Sequence, residues 1–119
     1  MEQIGQFTRL QDLSLCDKQL TDVGVKYIAN LKELKMLALG GAAITDKGIA
    51  HLTGLVQLED LRLANTQVSD VSVKYFKSFP RLTYLDLTNT KVTVAGCEEL
   101  GKNDSLRVIG PASEDDPFN

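Results

Sequence analysis

The chain has 119 residues, 43% of them hydrophobic and 24% charged, a globular balance that excludes a disordered polymer and a collagen-like fibre. Lysine plus arginine is 13 and aspartate plus glutamate 16; with Glu114, Asp115 and Asp116 set aside at the C-terminal end, the body is formally neutral at 13 against 13. A neutral body lacks the clustered basic excess of a nucleic-acid binder, and one His, two Cys and no Trp leave little material for a metal centre or a catalytic dyad.

The first residues, Met1 to Gln6, carry neither the basic start nor the apolar run of a secretory signal. No stretch approaches the roughly 20 apolar residues of a membrane span. Cys16 and Cys97 are too few and too distant for a disulfide framework, so free thiols and a reducing, cytoplasmic setting are expected. Ile4 and Phe7 fall in a helical register, which predicts a partial helix over residues 1–9.

From Leu10 onward the chain repeats. The pattern Leu-x-x-Leu-x-Leu occurs at Leu10-Leu13-Leu15, Leu34-Leu37-Leu39, Leu58-Leu61-Leu63 and Leu82-Leu85-Leu87, each 24 residues after the last, and a partial fifth unit starts at Leu106. Behind each triplet stand further columns: Leu20/Ile44/Val68/Val92, then Thr21/Thr45/Ser69/Thr93, then Asp22/Asp46/Asp70 with Val94 breaking the series. Gly24/Gly48/Ser72/Gly96 follow, and then the apolar columns Val25/Ile49/Val73/Cys97, Ile28/Leu52/Phe76/Leu100 and Leu31/Leu55/Phe79.

Two periods lie within each unit. The period-2 alternation in the leucine triplet predicts a short strand with one face inward. Apolar residues recurring every three predict one stripe of a short helix. The Thr/Ser-Asp pair offers an N-cap oxygen and a carboxylate near the positive end of the helix dipole, and either residue can be the cap. The Gly column predicts that the helix start approaches a neighbour closely. One such unit cannot bury both apolar faces alone; stacked units can, with right-handed crossovers.

On these columns the sequence resembles the leucine-rich repeat family over roughly residues 4 to 110. The Ile/Val-Thr/Ser-Asp-x-Gly signature is similar to the short-repeat subclass common in bacterial proteins and to the repeats of F-box-type substrate receptors. The resemblance implies an α/β solenoid of about four full repeats with partial ends, spanning residues 1–111, with a parallel sheet on its concave face and short helices on its convex face. It also implies protein–protein recognition on the concave sheet. The family's usual Asn or Cys three residues after the third leucine is replaced by Lys18, Ala42, Thr66 and Thr90. Thr66 and Thr90 can bond loop backbone, whereas Lys18 and Ala42 should leave their loops less tied.

The two ends read differently. With a uniform repeat, Pro111 takes the place of the third leucine of the fifth strand and blocks further pairing. No polar capping repeat precedes Ile4 and Phe7, which marks the N-terminal end as the one open to self-association. Residues 112–119, Ala-Ser-Glu-Asp-Asp-Pro-Phe-Asn, are expected to be a disordered acidic tail, with Asp116-Pro117-Phe118 a candidate docking motif inside it.

The candidate site is a patch of Met36, Asp60, Arg62, Tyr84 and Asp86 on the non-leucine strand positions, rich in residue types that dominate interfaces. The same uniform register places Val108 after Tyr84 and Gly110 after Asp86. A plainer account of the patch is that Arg62 and Asp86 pair across adjacent strands. Tyr27, His51 and Tyr75 form a second column on the helix side, better explained as rings covering neighbouring helices. Cys16 on the sheet side cannot reach His51 on the helix side, so no nucleophile–base pair forms. Gly40-Gly41 lacks both phosphate-loop signatures. The sequence therefore predicts a non-enzymatic module that needs no cofactor and binds another protein, not nucleic acid or membrane. The alternative is a structural subunit, or a piece of a larger receptor, docking through its N-terminal end, as a homodimer in one form.

Overall fold

A leucine at every second strand position turns one face of each strand toward the helices, and stacking identical strands gives each leucine a leucine on either side. The computed structural model, which describes residues 9–111, shows this arrangement. Strands β1 (Asp12–Ser14), β2 (Met36–Ala38), β3 (Asp60–Arg62), β4 (Tyr84–Asp86) and β5 (Arg107–Ile109) form one sheet in sequential order, all parallel. Helices α1 (Asp22–Ile28), α2 (Asp46–Leu52), α3 (Val73–Ser78, entered through a 3-10 turn at Asp70–Ser72) and α4 (Val94–Gly101) make the opposite layer. The predicted partial helix at 1–9, apart from Arg9, and the predicted tail at 112–119 lie outside the described residues.

The core lies between the layers. Leu37, Leu61 and Leu85 are fully buried, as are Val25, Ile49, Ile28 and Leu52 from the helices. Each such side chain contributes about 1.5–3 kcal/mol by leaving water. The leucines of the first repeat, Leu10, Leu13 and Leu15, are only partly buried.

The Thr/Ser-Asp columns divide their labour. The hydroxyl is the cap: Thr45, Ser69 and Thr93 accept from the N–H groups of Lys47, Val71 and Gly96. Thr21 makes no such side-chain bond. The aspartate instead reaches into the next repeat. Asp22 accepts from the Thr45 N–H at 2.8 Å and from its hydroxyl at 2.5 Å. Asp46 accepts from the Ser69 N–H at 2.9 Å and hydroxyl at 2.6 Å, and also from the Ser72 hydroxyl. Asp70 accepts from the Thr93 N–H at 2.8 Å and hydroxyl at 2.7 Å. Burial pushes the Asp46 carboxyl upward, but the bonds from Ser69 and Ser72 and the Lys91 charge outweigh it and hold the group below its ordinary value.

This clasp explains the glycines. A Cβ at Gly48 would stand 2.5 Å from Asp22 Oδ1, and one at Gly96 would collide with Asp70 Oδ1. Ser72 fits the same column because its hydroxyl donates to the carboxylate it approaches. The close neighbour expected from sequence is therefore the preceding repeat's aspartate. Val94 stands in the aspartate column where no further Thr/Ser-capped helix follows among the described residues.

The loops follow the Thr positions. Thr66 and Thr90 hydroxyls donate to Leu63 and Leu87 carbonyls at 2.7 and 2.8 Å. Ala42, at the same position, has only its backbone bond to Leu39, and Lys18 is exposed. A column that sequence reading passed over lies one residue earlier: Gly41, Asn65 and Asn89 have φ of 82°, 62° and 54°. Asparagine tolerates this left-handed region, and Asn89 donates to Asn65 at 2.6 Å.

One expectation fails at the C-terminal end. The first four strands pair with a 24-residue offset, such as Asp60 with Tyr84, but Tyr84 pairs with Arg107 and Leu85 with Val108, an offset of 23. Leu106 still occupies the first-leucine position, its N–H bonded to Asn103 as that of Leu58 is to Leu55. One residue is missing directly after it. Earlier repeats direct two successive N–H groups, those of Thr83 and Tyr84, to one carbonyl, that of Glu59; in the last, Arg107 alone donates to Thr83. Val108 therefore points inward, and Gly110, not Pro111, takes the third-leucine place. A Cβ at Gly110 would stand 2.8 Å from Cys97 Sγ, so this position has no room for a leucine. Arg107 and Ile109, not Val108 and Gly110, join the outward columns.

Candidate binding face

The five predicted residues fall on three adjacent strands. Met36 pairs in register with Asp60, Asp60 with Tyr84, and Arg62 with Asp86. Their side chains share a face because residues two apart in a strand point the same way.

Arg62 is the centre of the patch. Its guanidinium donates through Nε and Nη2 to the two carboxylate oxygens of Asp60, both at 3.0 Å. It also lies over the Tyr84 ring, 4.9 Å from the centroid. The Asp60 hydrogen bonds and charge raise its already high pKa further. Arg62 thus pairs along its own strand and not across to Asp86, as the plainer account had it. Asp86 accepts from the N–H and hydroxyl of Thr88 at 3.0 and 2.7 Å. With the Arg62 side chain 51% exposed, the ion pair adds little to stability. What it fixes is geometry: a long side chain and an aromatic ring are held in one arrangement before any partner arrives.

The corrected register extends the patch. Arg107 stands beside Tyr84 and Ile109 beside Asp86. Sequence reading missed both by carrying a uniform repeat through the last strand. The sequence does not decide it: Ile109 in the uniform register and Val108 in the shortened one are both apolar residues able to follow Leu85 inward, and only the pairing of Leu85 with Val108 separates them.

The helix side offers less. A shallow groove of about 380 Å³ runs between α2 and α3, with His51 and Tyr75 in its walls, and Lys74 lies over the Tyr75 ring at 5.2 Å. Cys16 is exposed in the loop just after β1, His51 is on α2, and both cysteines are free thiols. Burial first, and then the charge of Asp70, raises the Cys97 thiol's pKa, which keeps it protonated and inert. Among the described residues, no three His, Cys, Asp or Glu side chains stand close enough to hold a metal ion. Nor is any helix among them long and apolar enough to cross a membrane.

Comparison with known proteins agrees with this geometry. A leucine-rich repeat family model matches residues 8–68 and a second matches residues 80–101. No curated protein sequence matches. Among solved structures, internalin C2 of Listeria monocytogenes superposes with a TM-score of 0.75 at 25% identity, over 93% of this chain and 46% of its own. A second Listeria internalin gives 0.63 at 21% identity, over 96% of this chain and 38% of its own. A leucine-rich repeat protein of Leptospira interrogans gives 0.60 at 21% identity, over 91% and 33%. The chain spans less than half the length of each of these three structures.

Proposed function

We propose, for a chain that belongs to the leucine-rich repeat family, a non-enzymatic role in which the concave sheet binds another protein through Met36, Asp60, Arg62, Tyr84 and Asp86. The observation that carries this reading is the Asp60–Arg62–Tyr84 cluster. Tyr and Arg are the residue types most enriched at interface hot spots, and here their ordering cost is largely met before binding. Arg107 and Ile109 extend the same surface toward β5. The Thr/Ser-Asp-x-Gly signature, repeated as a bonded clasp, supports membership of the short-repeat subclass common in bacterial proteins and the likeness to F-box-type receptors. The free thiols support a cytoplasmic setting.

The test compares proteins captured from native lysate by the parent chain and by the double variant Arg62→Ala/Tyr84→Ala. A partner held by the parent and lost by the folded variant is the expected result. Unchanged capture, with loss instead on replacing Tyr27 and Tyr75 by Ala, moves the site to the helix side.

The second reading, docking through the N-terminal end, has one observation in its favour. Leu13 in β1 and Leu15 just after it are only partly covered, while their counterparts Leu37 and Leu39 are fully buried. Light scattering over a concentration series decides it: a monomer at every concentration removes the homodimer form of this reading.

A further inference from the structure

A cleft of about 260 Å³ opens between α3 and α4, at the edge where helices return to strands, with Phe79, Leu82 and Leu106 in its floor. Its cause is one residue. The column Leu31/Leu55/Phe79 continues as Asn103, which is exposed and accepts from the Ser105 N–H at 3.0 Å. The apolar side chain that closes this space in earlier repeats is missing. The rim is charged: Lys77 and Lys102 each place an ammonium 2.8 Å from a Glu99 carboxylate oxygen. The bond and charge of Lys102 first, then those of Lys77, hold Glu99 down at about 2, so it stays ionised. Two cations on one anion leave a net positive rim around an apolar floor.

We propose that residues 112–119 of this chain fold back on the solenoid, seating the Phe118 ring in this cleft and Asp115 and Asp116 against Lys77 and Lys102. The segment has the complementary chemistry: three consecutive acids, Pro117, and Phe118 as its one large apolar side chain. It also has the reach. Pro111 is five residues from Leu106 in the cleft floor, so the two lie at most about 17 Å apart, while the seven residues from Pro111 to Phe118 extend to about 24 Å. Seating the ring replaces the packing that Asn103 fails to supply, and the salt-sensitive rim gives the contact its direction. The inference stands apart from the concave-face reading, since it uses neither that surface nor its residues.

The chain has no Trp, so Phe118→Trp places a single fluorophore at the predicted contact. The free peptide 112–119 carrying the same substitution gives the reference for an exposed indole. The expected result is blue-shifted emission and a severalfold lower acrylamide quenching constant than the peptide shows, both independent of protein concentration. Adding Asn103→Leu, which refills the column, should restore peptide-like emission. Lys77→Glu/Lys102→Glu should do the same, with circular dichroism confirming the fold. Peptide-like emission in the Phe118→Trp protein itself overturns the proposal. So does a blue shift that grows with concentration, which assigns the contact to a second copy, or one that survives both added changes, which places the ring elsewhere.

Discussion

The two faces of this solenoid obey opposite rules. On the inner side the same residue types recur: leucine in the strands of every full repeat and, in all but the last of them, an aspartate at the helix start bonded to the next repeat's hydroxyl. On the concave face no column keeps one residue type. Asp12, Met36, Asp60, Tyr84 and Arg107 occupy equivalent places and run from carboxylate through thioether and phenol to guanidinium, with only Asp12 and Asp60 alike. Stacking demands identity, because each unit is both plug and socket for its neighbours. Nothing in the stacking constrains the outward side chains, so they are free to serve recognition. Identity across repeats thus marks residues whose loss unfolds the chain, and variation marks residues whose loss leaves it folded.

The largest effect that separates the faces is expected at Leu61. It is fully buried between Leu37 and Leu85, and Leu61→Ala should cost about 2–5 kcal/mol in denaturant titration. A cost near zero would mean that the inward side had been assigned to the wrong alternate residues.

The clasp comes next. Asp46→Ala removes three accepted bonds and should cost about 1.5–3 kcal/mol. It also carries a pH signature. The folded Asp46 carboxyl titrates below its ordinary 3.8, so more protons bind in the unfolded chain near that pH. The stabilisation is complete above 3.8 and is lost as pH falls through the lower folded value. The stability gap between parent and Asp46→Asn should therefore narrow with acidification below pH 3.8. A constant gap removes the carboxylate from the account.

Smaller, and opposite in sign to the usual rule, is the effect at Gly96. Gly→Ala inside a helix ordinarily gains about 1 kcal/mol. Here the added methyl meets Asp70 Oδ1, which two bonds to Thr93 hold in place, so Gly96→Ala should lose about 1–2 kcal/mol instead. Gly96→Ser should come out close to the parent, because Ser72 already shows how a hydroxyl satisfies that carboxylate. Equal losses for both variants would reduce the column to simple crowding.

Most of the inner side was legible in the sequence because its physics is periodic. Leucine columns, the hydroxyl–aspartate pair and the Gly column each announce themselves by recurring, and all three have the structural roles their chemistry suggests. Which of Thr or Asp capped the helix was open until the aspartate was seen to bond across repeats, a contact 23 residues away that no local pattern encodes. The asparagine ladder was obscured because Gly41 and Asn65 look unlike one another until φ shows what they share. The fifth strand was misread for the reverse reason. A pattern that had held four times was extended once too far, and only backbone pairing reveals the dropped residue after Leu106. The concave patch could be placed by strand alternation alone. Its internal wiring could not, since Arg62 had two carboxylates within reach and took the one on its own strand.

That choice makes Arg62 the finest test of the contrast between the faces. Its guanidinium makes two good hydrogen bonds and covers an aromatic ring, a contact set that in the interior would be costly to break. At this exposure, water replaces both bonds, and freeing a long side chain returns rotamer entropy. Arg62→Ala is therefore expected to change stability by less than about 1 kcal/mol, and Tyr84 should tolerate the loss of its cover. Raising salt should shrink even that difference. A loss comparable to that of Leu61→Ala would instead show that the outward cluster helps to hold the sheet. Its variation between repeats would then no longer be a mark of recognition.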